Sequence, residues 1–203
     1  MPVDPLTILA SRCPKMAQLI QDHGALGFEP KPVNFDSFAR SIIGQQVSVA
    51  AARSIYNKVL AGLGLEGEMN PEAFAGHTPE SLREVGLSRQ KAGYLLDLAE
   101  KSRQNQIHFA KFDQMEDQAI LDELIAVKGI GEWTIQMVLM FSLGRPDVMP
   151  AGDLGIQEGI RRLDGLAERP KPKQILERAA VWAPVRSYAS LYLWKLKDTP
   201  NVG

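Results

Sequence analysis

The chain has 203 residues, 45% hydrophobic and 23% charged, with a formal net charge of −1 that advertises no polyanionic partner. Cys13 is the only cysteine, and His23, His77 and His108 are scattered, so ligand count excludes an internal disulfide, a zinc site and a four-cysteine iron–sulfur cluster. No apolar run approaches a membrane span and Met1-Pro2-Val3-Asp4 lacks the features of a secretory leader, so a cytoplasmic protein with no membrane partner is expected.

Helical periodicity dominates along the chain. Residues 36–60 place Phe38, Ile42, Ile43, Val47, Ala50, Ala51, Ile55 and Val59 near a three-to-four spacing. Gly44 interrupts that run and is expected to mark a close helix approach. Residues 89–102 put Ala92, Leu95, Leu96 and Ala99 on one face, with Ser88 as N-cap. Further helices are predicted over 116–127, 132–143, 154–163, 172–181 and 185–197. Turn-rich joints at 62–64, 76–79, 144–147 and 169–172 separate them, and no strand pattern occurs. The charge is uneven: residues 1–127 carry −4 and residues 128–203 carry +3.

The stretch Leu124-Ile125-Ala126-Val127-Lys128-Gly129-Ile130-Gly131-Glu132-Trp133-Thr134 reads as one helix ending, a tight glycine turn and a second helix starting. The two glycines permit positive φ and close backbone approach. Free N–H groups at the new helix start, backed by the helix dipole, make a phosphate site that needs no net basic charge. A plain helix–turn–helix corner is the alternative reading of a bare Gly-x-Gly, but apolar flanks and a following amphipathic helix complete a helix-hairpin-helix element.

Downstream lies Asp147-Val148-Met149-Pro150-Ala151-Gly152-Asp153-Leu154-Gly155. A helix-hairpin-helix followed by a Gly/Pro-rich loop ending in Asp resembles the signature of the helix-hairpin-helix DNA glycosylase superfamily. Segments 41–48 (SIIGQQVS), 86–92 (GLSRQKA) and 186–194 (RSYASLYLW) resemble its alkylation-repair branch, the bacterial 3-methyladenine DNA glycosylase II type. The match runs in order over roughly residues 34–197.

The resemblance implies an all-α, two-lobed fold with the active-site cleft between the lobes, the whole of 1–203 forming one glycosylase unit. The central lobe, with the hairpin, would be 34–145, and the second lobe 1–33 plus 146–203. The N-terminal β-rich domain of larger members has no room here, so the compact form is expected. The implied function is excision of alkylated purines, 3-methyladenine and 7-methylguanine, from duplex DNA in base excision repair, by a monomer that needs no cofactor for catalysis. Two alternatives stay open: a non-enzymatic DNA-binding module using the same hairpin, and a glycosylase for deaminated or oxidised bases.

Glycosidic cleavage passes through an oxocarbenium-like state, which a carboxylate beside C1′ stabilises. The resemblance places that carboxylate at Asp153; the residue alone would also suit an N-cap for the helix starting at Leu154. Trp133 and Trp194 correspond to pocket aromatics that stack on a cationic base, with core packing as the alternative, while Met137 and Leu154 stand where aromatic pocket residues are usual. Trp133 also occupies the position of the Schiff-base lysine of strand-cutting members, so no lyase activity is expected. The side chain filling the gap left by base flipping falls at Gln46, with Gln45 or Val47 as alternatives. Ser48, Arg89, Lys91, Lys128, Gly129, Gly131, Thr134 and Ser187 complete the expected DNA contacts, and the main-chain carbonyls of Ile125, Val127 and Ile130 would hold a structural Na+ or K+.

Overall fold

A computed structural model describes residues 3–199. Every regular element among them is helical: α1 (Pro5–Arg12), α2 (Pro14–His23), α3 (Phe35–Gly44), α4 (Val49–Gly62), α5 (Pro79–Glu84), α6 (Arg89–Arg103), α7 (Asp117–Ile125), α8 (Glu132–Met137), α9 (Leu154–Asp164), α10 (Pro172–Ala179) and α11 (Arg186–Asp198). Short 3-10 turns at Pro71–Phe74, Phe109–Gln114 and Ala180–Trp182 join some of them, and α8 passes directly into a π turn at Val138–Ser142. The described residues separate into two compact units, one reaching up to Pro30 and resuming at Gln136, the other Lys31–Ile135. The boundary thus falls inside the helical run that starts at Glu132, rather than at residue 145. Residues 1–2 and 200–203 of the expected second lobe lie outside the described residues.

In the first unit, Asp4 caps α1 through the N–H of Thr7 at 3.0 Å, and extended Cys13 divides α1 from α2, a break that short helices with proline at N1 tolerate. Leu9, Met16, Ile156, Ile160, Ile175, Trp182, Tyr192 and Leu193 form its core. Helices α9 and α11 cross at Gly159, where a Cβ would lie 2.5 Å from the carbonyl oxygen of Leu193. The Tyr192 hydroxyl donates to the Gly24 carbonyl at 2.8 Å and accepts from the N–H of Leu26, fastening the segment after α2 to α11.

In the second unit, Asn34 and Ser37 form a reciprocal capping box at the start of α3, and Ser48 caps α4. Buried Asp36 accepts from the Tyr56 hydroxyl at 2.5 Å, the Met69 N–H at 2.8 Å and Arg40 at 2.6 Å, so the carboxylate of α3 is satisfied by three donors. The periodic run over 36–60 is two helices: it breaks at Gln45–Ser48, with Gln46 at φ +57°. Gly44 does not mark a close approach, since a Cβ there would meet nothing within 4 Å. It ends α3 instead.

Candidate active site

Asp153 sits at the end of a loop that α11 secures from behind. Arg186 forms a two-pronged ion pair with Asp147 (2.7 and 2.8 Å), and its backbone N–H donates to the same carboxylate at 3.2 Å. This pairing raises the already basic guanidinium further. The Ser187 hydroxyl donates to the Arg145 carbonyl at 2.6 Å and accepts from the N–H of Val148 at 2.9 Å. Ser187 is wholly buried. It therefore holds the loop in place and cannot be the DNA contact expected from sequence, which requires an exposed hydroxyl.

At the loop's end, Asp153 Oδ1 accepts from the N–H of Ile156 at 2.9 Å, capping α9, and from the indole N–H of Trp194 at 2.8 Å. Trp194 stacks on Phe141 (ring centroids 5.9 Å apart, planes at 27°), which Phe28 meets edge-on at 5.5 Å; Tyr188 meets Phe28 in turn at 5.1 Å. An open cavity of about 550 Å³ lies against Asp153, Leu154, Glu158, Arg162, Trp194 and Lys197. Leu154 beside the carboxylate is 64% exposed, and Met137 is half-buried. Glu158 is the anionic anchor of this wall: hydrogen bonds from Arg161 and Arg162, then Arg169, outweigh its burial and hold its carboxyl down at about 2.

The hairpin belongs to the second unit. Helix α7 ends at Ile125, the turn follows, and α8 begins at Glu132. Of its two glycines only Gly129 has positive φ (+82°), and a Cβ there would lie 2.1 Å from the Tyr94 ring, so glycine is demanded twice. Gly131 is exposed over open space. The Lys128 N–H donates to Asp97 at 2.9 Å, leaving its side chain exposed. Burial would raise Asp97, but the Lys128 amide and the Lys101 ammonium prevail and lower it.

The Gly129 carbonyl accepts from the side-chain amide of Gln45 at 2.8 Å. Gln45 thereby ties the α3–α4 turn to the hairpin, and it is removed from the residues that could fill a flipped-base gap. Gln46, exposed at the turn's apex, and Val47, 39% exposed, remain. Lys91 differs from expectation as well: its ammonium donates to the carbonyls of Ile43 (2.7 Å) and Gln45 (2.8 Å), closing the C-terminus of α3, and burial lowers its pKa. Ser48 and Arg89 are exposed, the latter paired with Glu80 at 3.3 Å. Trp133 is 53% exposed, and Thr134, one position on, is half-buried. Of the three carbonyls expected to hold a cation, that of Val127 accepts the Ile130 N–H at 3.1 Å within the turn. Among the described residues no cluster of His, Cys, Asp and Glu could hold a metal, and no helix is long and apolar enough to cross a membrane.

Sequence reasoning missed Gly155, Phe28, Phe141 and Tyr94. Their partners lie far off in the chain: Gly155 faces Trp194, Phe28 meets Phe141, and Tyr94 lies over Gly129.

A glycine-turned helical hairpin in one unit and a loop-borne, helix-capping aspartate in the other define a helix-hairpin-helix DNA-repair protein. Residues 39–184 match the family described as HhH-GPD superfamily base excision DNA repair protein, and the chain belongs to it. The chain is 32% identical over 166 residues to YfjP of Bacillus subtilis, covering 79% of this chain but only 58% of that protein's length. It superposes on the crystal structure of a DNA-3-methyladenine glycosidase from Bacillus halodurans with a TM-score of 0.86 and 34% identity, covering 98% of this chain and 91% of that one. It also resembles Schizosaccharomyces pombe 3-methyladenine DNA glycosylase Mag1 in complex with abasic DNA (TM-score 0.75, 28% identity, 94% and 95% covered).

Proposed function

We propose that this chain is a monofunctional DNA glycosylase that removes alkylated purines, 3-methyladenine and 7-methylguanine, from duplex DNA. The observation that carries the reading is Asp153, pinned by two N–H groups beside an open cavity. In the reaction the C1′–N bond breaks and its electron pair leaves with the base. Positive charge grows on C1′ and O4′, where a fixed carboxylate stabilises it. Water then bonds to C1′ and gives up a proton, leaving an abasic site. Alkylation at N3 or N7 already makes the purine a good leaving group, so little general acid is needed. Trp133 stands where the resemblance puts the Schiff-base lysine of strand-cutting members, and an indole forms no imine.

Support for DNA binding comes from the exposed hairpin start at Gly131, Glu132 and Trp133, the exposed Lys128 side chain, and the protruding turn at Gln46 and Val47. Backbone N–H groups at the hairpin would take a phosphate, and Gln46 or Val47 would fill the space of the extruded nucleotide. Exposed Leu154, beside Asp153, would contact the base. A Na+ or K+ on the carbonyls of Ile125, Val127 and Ile130 would stiffen the turn. The protein would act as a monomer without a catalytic cofactor, in the cytoplasm and, in a bacterial host, at the nucleoid.

Incubation with methylated, uracil-containing and 8-oxoguanine duplexes tests this. Free 3-methyladenine and 7-methylguanine should appear from the first alone, with abasic sites that stay uncut until heated in base. Tight binding without release from any duplex would point to a binding module, and release of uracil or 8-oxoguanine would reassign the specificity.

A further inference from the structure

We infer that Trp194 is a positioning residue for Asp153, and that Gly155 is required so that it can reach; the inference rests on Asp153 being the catalytic carboxylate. A helix N-cap needs one backbone donor, and Ile156 supplies it at 2.9 Å. The indole N–H of Trp194 is a second donor to the same oxygen, arriving at 2.8 Å from 41 residues away on α11. Two donors converging on Oδ1 from different helices hold the carboxylate's orientation more tightly than the cap does by itself. Holding that orientation sets where the charge sits relative to a sugar, and a displacement of about 1 Å at a reacting centre is enough to cost about a hundredfold in rate.

Two further features show that the indole is built to stay there. Its ring is stacked on Phe141, and Phe141 is braced edge-on by Phe28. A Cβ on Gly155 would lie 2.8 Å from Trp194 Cδ1, 3.0 Å from its Nε1 and 2.9 Å from Asp153 Oδ1. Neither a stacked ring nor a doubly held carboxylate can give way cheaply. Gly155 has no positive φ to explain it, so the space for this hydrogen bond is its reason. Trp194 thus acts through Asp153, by its N–H edge, whatever its ring face touches.

The test compares wild type with Trp194→Phe, Gly155→Ala, the double variant and Asp153→Asn in single-turnover release of methylated bases from methylated duplex DNA, alongside duplex Kd and melting temperature. Trp194→Phe keeps a ring to stack on Phe141 while removing the donor, together with part of the ring's bulk. Its rate at saturating enzyme should fall about tenfold to a hundredfold with Kd changed less than about twofold. Gly155→Ala should lose a similar factor, and the double variant no more than the worse single one, because both break one hydrogen bond. Trp194→Phe at the wild-type rate, with Asp153→Asn inactive, overturns the positioning role and leaves the catalytic reading intact. A loss confined to Kd, or multiplicative losses in the double variant, overturns it too. Asp153→Asn at the wild-type rate overturns the catalytic reading itself.

Discussion

At the first turn of α11, Ser187 has no access to solvent, and its hydroxyl bridges two backbone groups of the loop that ends in Asp153. Replacing it with alanine leaves the Val148 N–H buried without its acceptor, at a cost of about 1–3 kcal/mol. Ser187→Ala should therefore lower the urea midpoint at unchanged m-value, which equilibrium unfolding measures directly. The family-like string at 186–194 made Ser187 legible as a significant position, yet not as a structural one. A serine at a helix start offers the same sequence whether its hydroxyl faces a phosphate or a neighbouring loop. Lys91 makes the same point: a cation at the start of α6 reads as a surface charge, while in three dimensions it meets the carbonyl end of α3. Asp153 was legible as a cap because that role depends on what stands immediately after it in the chain, whereas its proposed catalytic role came from the family-like loop before it.

Helices with long apolar stripes and local caps were legible nearly to the residue. Helix α6 runs Arg89–Arg103 against a predicted 89–102, and α9 runs Leu154–Asp164 against 154–163. The missing ones are α1 and α2, which the extended Cys13 divides into two separate short stripes, and α5, which is only six residues long. The division of 36–60 at Gln45–Ser48 was hidden because the apolar spacing continues across a turn. At the hairpin, Gly129→Ala would combine a φ of +82° with a clash against Tyr94, so a loss of about 1–3 kcal/mol in stability is expected from thermal unfolding. The α9 wall carries a pH signature. Glu158 is held at about 2 against an ordinary 4.5, so its contribution to stability is complete above the unfolded value and fades as pH falls from 4.5 toward 2. Relative to wild type, Glu158→Gln should be less stable at pH 7, and the difference should vanish toward pH 2 in a pH series of melting curves.

Across the whole molecule, a slightly acidic chain need not repel DNA, because its net charge of −1 averages an acidic first part with a basic remainder. The parts proposed to grip DNA are backbone amides and a protruding turn, which depend on geometry more than on total charge. The proposed chemistry then comes down to one side chain in the other unit. Its cap and the catalytic role proposed for it are separable by magnitude: losing a cap costs about 1 kcal/mol of stability, whereas losing a charge set against C1′ would cost about 3 kcal/mol in the barrier. The most direct measurement is the single-turnover rate of 3-methyladenine release by Asp153→Asn against wild type, with lesion-duplex affinity measured on the same preparations. The account predicts a rate at least about a hundredfold lower at nearly unchanged affinity. Equal rates from the two proteins would contradict it.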